Sequence, residues 1–342
     1  MGTENREFSD KLTFLKLLFS VWVVYIHAKN FTIYSLDGTV LYMIELCMSR
    51  IFAIAVPSFF IISGYLFFRN YTPTAAPKKL KSRFWSLLVP YVLWNTIYWL
   101  IRLGIEQSPF GVRLNYTKTS PTFSSWLFDG LLGEFPLDGP LWFMKVLIPV
   151  VAVAPLLYYI LRYKWSALVL VTAAVLACAC YGHLPDQLMR ASVLFYLGGF
   201  LSLHQRNLFE ERRWSRAYKI AAAVLLSIHF FAGGYIGTDR SEVAIIVYAV
   251  LFVAMWILTD GITLNERTRK LISIQFWVYC AHELPLESVE KLWFLVAGDR
   301  VLAAWIDFFV WPAVTIAILI PPGFTMRKHC PHVWRVLTGA RG

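Results

Sequence analysis

Charged residues are scarce in this sequence. Asp, Glu, Lys and Arg make up 15% of its 342 residues, where a soluble globular chain carries roughly 25%. Hydrophobic residues reach 58% and the mean hydropathy is +0.57, so apolar side chains are spread along the whole chain. That excludes an ordinary water-soluble domain. No polar stretch approaches the ~50 residues of a minimal domain; the longest connections are about 105–139 and 204–218. No extramembrane catalytic domain is therefore expected, and any chemistry belongs to helices and their loops.

Cysteine is equally sparse. The five present, Cys47, Cys178, Cys180, Cys280 and Cys330, are odd in number and lack CxxC spacing, which argues against a disulfide framework and a metal site. They read as small residues of apolar segments. The sequence also lacks a small-residue cleavage site after its first apolar segment, so that segment is expected to stay as a membrane helix. No basic run is long enough for a nucleic-acid arm, and no repeat is evident. The net charge of +11 fits the basic bias of cytoplasmic loops instead.

Present in abundance are apolar runs long enough to span a bilayer, which takes ~20 residues. Ten are expected, near 12–28, 49–68, 84–104, 140–161, 165–181, 188–203, 218–236, 241–259, 271–287 and 300–321. The ninth carries His282, Glu283 and Pro285, so its outer end is expected to be broken or re-entrant, lining protein or water. With the N-terminus inside, 21 of the 32 Lys and Arg fall in cytoplasmic segments and 8 outside. The expectation is a single-domain, all-α polytopic membrane protein over 1–342, with both termini cytoplasmic.

Several polar residues stand in apolar segments, and Lys16 and Lys145 need a reason to be there. Lys16 and Lys145 each cost at least ~2.5–3.5 kcal/mol on insertion scales, although Lys16 alone could snorkel to the interface. His27 follows Lys16 by eleven residues, about 16 Å along a helix with an angular offset of about 20°, so both point the same way. A long substrate threaded along the helix suits that stripe. His282, next to Glu283, falls at a depth similar to His27, and two histidines at matching depth raise the prospect of acid–base chemistry. Ser63 and Gly64 permit close helix approach. Lys78, Lys79, Lys81 and Arg83 offer an orientation signal, an anionic-lipid site or charge for a phosphate-rich ligand. His229 reads as a packing residue.

These pieces, in this order, resemble the acyltransferase-3 family of integral membrane acyltransferases, which O-acetylate bacterial surface glycans. Lys16 with His27 resembles the family's basic-x10-His first helix. Pro57 to Leu66 resembles its Ser-Gly-Tyr/Phe second helix, and Lys79 to Trp94 its basic-to-Pro-Tyr-x-x-Trp third. Pro140-Leu141-Trp142-Phe143-Met144-Lys145 and Tyr279-Cys280-Ala281-His282 complete the pattern, which runs from residue 9 to about 290. A lysine stands where the family more often has arginine, a point charge in place of a fork. The end of the chain soon after the tenth expected span makes it look like the stand-alone type.

The resemblance implies acetyl-CoA as acyl donor, a cell-surface or lipid-linked glycan as acceptor, and a place in the bacterial cytoplasmic (inner) membrane among its lipids. His27, His282 and Glu283 would be catalytic, with His27 as general base or transient acyl carrier. Lys16, Lys79, Lys81 and Arg83 would hold the donor's phosphates, and Lys145 or Ser63 the developing oxyanion. Trp126, Phe128, Asp129, Glu134, Phe135 and Asp138 are candidates for sugar contact or for an interfacial belt. The competing reading is a transporter or exporter of a small solute, but such proteins show related halves with matching broken helices, and none is seen here.

The topology has a direct check. Cysteines introduced at Ala75 and Thr119 should react with an impermeant thiol reagent from opposite sides of the membrane; labelling from one side would end the ten-span arrangement.

Overall fold

In the computed structural model, the described residues are 3–28, 30, 33–106, 108, 122–133, 136–166, 168, 172, 186–210, 213–233 and 241–340. Among them the secondary structure is helical, with no strand. In chain order the α-helices are α1 (Thr3–His27), α2 (Val40–Phe52), α3 (Ala55–Phe68), α4 (Ala76–Arg83), α5 (Val89–Glu106), α6 (Trp142–Leu161), α7 (Asp186–His204) and α8 (Arg206–Glu210). They continue as α9 (Arg216–Ala232), α10 (Ser241–Leu258), α11 (Glu266–Ile272), α12 (Gln275–Ala281), α13 (Glu283–Ala297), α14 (Val301–Phe309), α15 (Trp311–His329) and α16 (Pro331–Leu337).

Four stretches among the described residues are long and apolar enough to cross a membrane: Val40–Phe68, Pro73–Glu106, Gly139–Leu161 and Val301–His329. The first corrects the sequence reading, which places 28–48 in a loop. Helix begins at Val40 because Leu41, Tyr42, Met43 and Ile44 continue the apolar run, and the acid that interrupts it, Glu45, is buried at 3% exposure. The break in the ninth expected span falls at His282, between α12 and α13. Nearly all of the expected span 165–181, with Cys178 and Cys180, lies outside the described residues.

The chain divides into two compact units. One comprises 1–22, 47–81 and 146–272. Its centre is the contact of α3 with α7, where backbone meets backbone. A Cβ on Gly64 would lie 1.8 Å from the Phe195 carbonyl oxygen, and one on Gly198 would lie 1.9 Å from that of Ile61. Around these glycines Phe60, Phe67, Phe68 and Phe195 are buried. Without side chains at the crossing the helices approach closely enough for dispersion contacts along their length.

The same unit neutralises its charges in pairs. Arg69 and Arg206 both bind Glu210, at 2.9 Å and 3.1 Å, and the Tyr65 hydroxyl donates to the same carboxylate at 2.8 Å. These donors hold Glu210 below the usual carboxylate range against the opposing effect of its burial. Lys11 and Lys219 flank Asp260 at 3.6 Å and 3.5 Å, and burial lowers the Lys11 ammonium to about 8 despite that partner. Arg50 donates to the carbonyls of Phe230 and Phe231 at the end of α9, and His229 bonds the Arg50 carbonyl at 3.1 Å, in keeping with a packing role.

The other unit comprises 23–46, 82–145 and 273–342. Tyr34, Leu36 and Leu41 pack on Ala303 and Ala304 of α14, and Val24 packs with Val278, Leu286 and Leu319. Just before α5 the backbone opens into a π-turn over Phe84–Leu88. Pro90 explains it: the ring lacks an N–H and collides with the carbonyl four residues back, at Ser86. Gly339, at φ 62°, seats its backbone on Ser86, where a Cβ would come within 2.5 Å. Trp94 then donates its indole N–H to the Leu337 carbonyl at 3.1 Å and packs edge-on against Trp277 at 5.2 Å.

The α3–α7 contact makes a stability prediction. Gly198→Ala or Gly64→Ala should cost at least the ~1–3 kcal/mol of overpacking, seen as lost monodisperse protein after detergent extraction. Gly104→Ala in α5, where a Cβ meets nothing within 4 Å, should be neutral or mildly stabilising.

Candidate active site

Two helix ends and one helix break bring the site's residues together. His27 is the last residue of α1 and is half-buried. His282 stands at the break between α12 and α13, fully buried. Their rings meet edge to face with centroids 5.3 Å apart. His282 Nδ1 lies 2.8 Å from the Tyr279 carbonyl and 3.2 Å from that of Val278. Only a donor satisfies those acceptors, so Nδ1 carries the proton and Nε2 keeps the lone pair. Nε2 is buried and has no hydrogen-bond partner among the described residues.

Glu283 opens α13 and lies on the backbone of Gly139. A Cβ there would fall 2.6 Å and 3.0 Å from its two carboxyl oxygens, so any larger residue would push the Glu283 carboxyl off the backbone. One helical turn earlier, the Tyr279 hydroxyl donates to the Pro140 carbonyl at 2.5 Å. Tyr279 and Glu283 thus clamp the 3-10 turn Gly139–Leu141 between them. Two motifs meet at this clamp, Tyr279 and Pro140 being 139 residues apart in sequence.

A third motif supports the same turn. The Asp138 backbone N–H donates to Asn95 Oδ1 at 3.4 Å, and Asn95 donates to the Tyr91 carbonyl at 2.9 Å. The Tyr91 hydroxyl donates to the Leu131 carbonyl at 2.7 Å. Asp138 itself is fully buried, and its carboxyl lies within hydrogen-bonding reach of Glu283. Burial, then the neighbouring Glu283 charge, pushes Asp138 well above the ordinary carboxylate range.

His27 and Glu283 open into a cavity of about 400 Å³ with Tyr98, Arg102, Glu287, Glu290 and Lys291 on its walls. The size suits a small ligand. Glu283, Glu287 and Glu290 share one face of α13 because they are spaced by four and three residues. Lys291 pairs with Glu287 at 2.8 Å, and the Arg102 guanidinium lies over the Tyr98 ring at 5.6 Å. Among the described residues no group of three metal-ligating side chains is found.

The structure therefore joins His27, His282 and Glu283. The remaining candidates are occupied differently. Lys145 donates to the carbonyls of Gly133 and Leu132. Lys79 donates to the carbonyls of Phe67 and Arg69 and lies over the Tyr71 ring at 5.6 Å. Ser63 is half-buried in α3, Lys16 half-buried in α1, Lys81 exposed and Arg83 half-buried at the end of α4. Trp126 donates to Thr96 Oγ1 at 3.0 Å, while Phe128 and Asp129 are exposed and none of the three lines the cavity. Glu134 and Phe135 lie outside the described residues. Sequence reasoning misses Tyr98 and Arg102 of α5 and Glu287, Glu290 and Lys291 of α13; for the last three the signal is a charged stripe running on from Glu283.

The chain is 25% identical over 311 residues to the succinoglycan biosynthesis protein ExoH of Rhizobium meliloti (strain 1021), covering 85% of this chain and 80% of that protein. No solved structure matches. The family model described as an acyltransferase domain matches residues 10–325, nearly the whole chain, and the protein thus belongs to the acyltransferase-3 family.

Proposed function

We propose that this acyltransferase moves a short acyl group, in the first instance acetyl, from cytosolic acyl-CoA to a hydroxyl of a cell-surface or lipid-linked glycan. The protein would lie in the bacterial cytoplasmic membrane with ten spans and both termini inside. The observation that carries the reading is the pairing of buried His282 with His27, which itself lines a carboxylate-lined cavity. A relative named for succinoglycan biosynthesis supports a glycan as acceptor.

In this reaction the imidazole of His27 takes the proton of a sugar hydroxyl as its oxygen attacks the thioester carbonyl. The tetrahedral intermediate collapses with cleavage of the C–S bond. The CoA thiolate leaves with the proton that His27 had taken, giving the ester and free CoA. His282, locked as its Nδ1–H form, orients His27 or the hydroxyl through Nε2. Glu287 and Glu290 accept hydroxyls of the glycan, and Tyr98 and Arg102 donate to it. Lys16, on the same unbroken helix as His27, sits about 16 Å along its axis and would hold a phosphate of the donor.

His27→Ala and His27→Gln should each lower acyl transfer at least 10²-fold, the usual cost of losing a general base, with expression and acyl-CoA binding retained. Full-length protein in membranes with radiolabelled acetyl-CoA provides the assay. A variant above a tenth of the wild-type rate would return the role of base to His282 with Glu283.

Lys16→Ala should raise the KM for acetyl-CoA with little effect on kcat, the signature of lost ground-state binding. Lys16→Arg, keeping the charge, should restore most of the affinity. An unchanged KM in Lys16→Ala would leave this residue as an interfacial anchor.

A further inference from the structure

The carboxyl group of Asp138 does not line the cavity. It is fully buried, and no N–H or O–H of a described residue reaches either of its oxygens. The polar group within reach is the carboxyl of Glu283. Two ionised carboxylates are acceptors only and repel one another, so a hydrogen bond between them requires a proton on one. Depth decides which: Glu283 opens to the cavity and Asp138 does not, and burial without compensation disfavours the charged form more strongly.

We propose that Asp138 is a positioning residue for acyl transfer, remaining protonated and donating its O–H to Glu283, so that Glu283 stays ionised and fixed on the cavity wall beside His27. The proposal rests on the acyl-transfer reading of the cavity and adds a residue to it. The backbone around the pair is built for this. Asn95 holds the Asp138 N–H, Tyr279 holds Pro140, and Gly139 leaves room for the Glu283 carboxyl against the main chain. An ionised Glu283 is an acceptor only. The hydroxyl proton then goes to the imidazole, and Glu283 remains an acceptor that orients the substrate.

The charged and titratable groups facing the pair are Tyr98 and Arg102 from α5, Glu287 from α13, and His27 and His282 from α1 and the α12–α13 break. As pH rises the shared proton is lost, two adjacent carboxylates repel, and Glu283 loses its fixed geometry. The rate should therefore fall on the alkaline side.

The test uses full-length protein and two readouts. In the first, Asp138→Asn supplies a neutral donor that never titrates. It should keep kcat within a few-fold, with the alkaline fall moved to higher pH, whereas Asp138→Ala should lose about tenfold or more in kcat, the worth of a hydrogen bond to a charged group, at unchanged KM for acetyl-CoA. In the second, the infrared difference between purified wild type and Asp138→Asn at neutral pH should contain the C=O stretch of one protonated carboxyl group. This readout needs no turnover, so a failure of acetyl-CoA as donor leaves it decisive. Absence of that band, or Asp138→Asn as slow as Asp138→Ala with an unmoved alkaline limb, would overturn the proposal.

Discussion

The organisation of the candidate site depends on the tight turn at Gly139–Leu141 and what is pressed against it. A carboxyl group lying on a backbone needs that backbone to carry no side chain, and it needs the backbone held still. Gly139 meets the first need. The second is met from both sides, by the Tyr279 hydroxyl on the Pro140 carbonyl and by Asn95 on the Asp138 N–H. Because Tyr279 and Glu283 are one turn apart, the bonds that fix the turn also fix the break at His282 between them. His282 is thereby aimed at His27 without any contact of its own to the Gly139 turn. Loosening the turn would move the imidazole as well as the carboxyl.

A wider constraint lies behind these bonds. Irregular backbone in an apolar environment exposes carbonyls that no water reaches, and each has to find a donor in the protein. In this unit the donors are aromatic side chains and amides. Tyr91 serves Leu131, Trp94 serves Leu337, Trp277 serves Leu319 and Tyr279 serves Pro140. Each carries an apolar ring that packs in the core and a single polar tip that reaches the freed carbonyl. Tyr91 and Trp94, which follow Pro90 in one motif, both act in this way on carbonyls of distant segments.

How much of this was legible in the sequence follows from contrast. His27, His282 and Glu283 stood out because a polar residue in an apolar run is conspicuous, and the helical repeat placed Lys16 and His27 on one stripe. The break in the ninth span was announced by Pro285. Asp138 was visible only as a loop residue beside aromatic neighbours, since nothing local tells that a loop acid is buried under a helix that arrives 145 residues later. Arg102, Glu287 and Lys291 were hidden by the opposite effect: charges near the ends of apolar stretches look like ordinary interfacial residues. Helix α2 was missed because Glu45 and Arg50 interrupt its hydropathy, and the sequence does not say that Glu45 is buried or that Arg50 caps α9.

The charge balance of the cavity also constrains what enters it. Glu283, Glu287 and Glu290 outnumber Arg102 and Lys291 on its walls, and with Asp138 protonated the excess is a single negative charge. At short range in a partly desolvated site such an excess opposes the phosphates of a nucleotide. It suits neutral hydroxyls, which donate to carboxylates without adding charge of their own. In the reaction proposed above the thioester is likewise neutral, so the reacting ends of donor and acceptor would share this space and the donor's phosphates would stay outside it. On that proposal the phosphates would be held by basic residues outside the cavity. On the same proposal Lys16, three turns from His27 on one helix, would hold them, with the donor's arm spanning the interval.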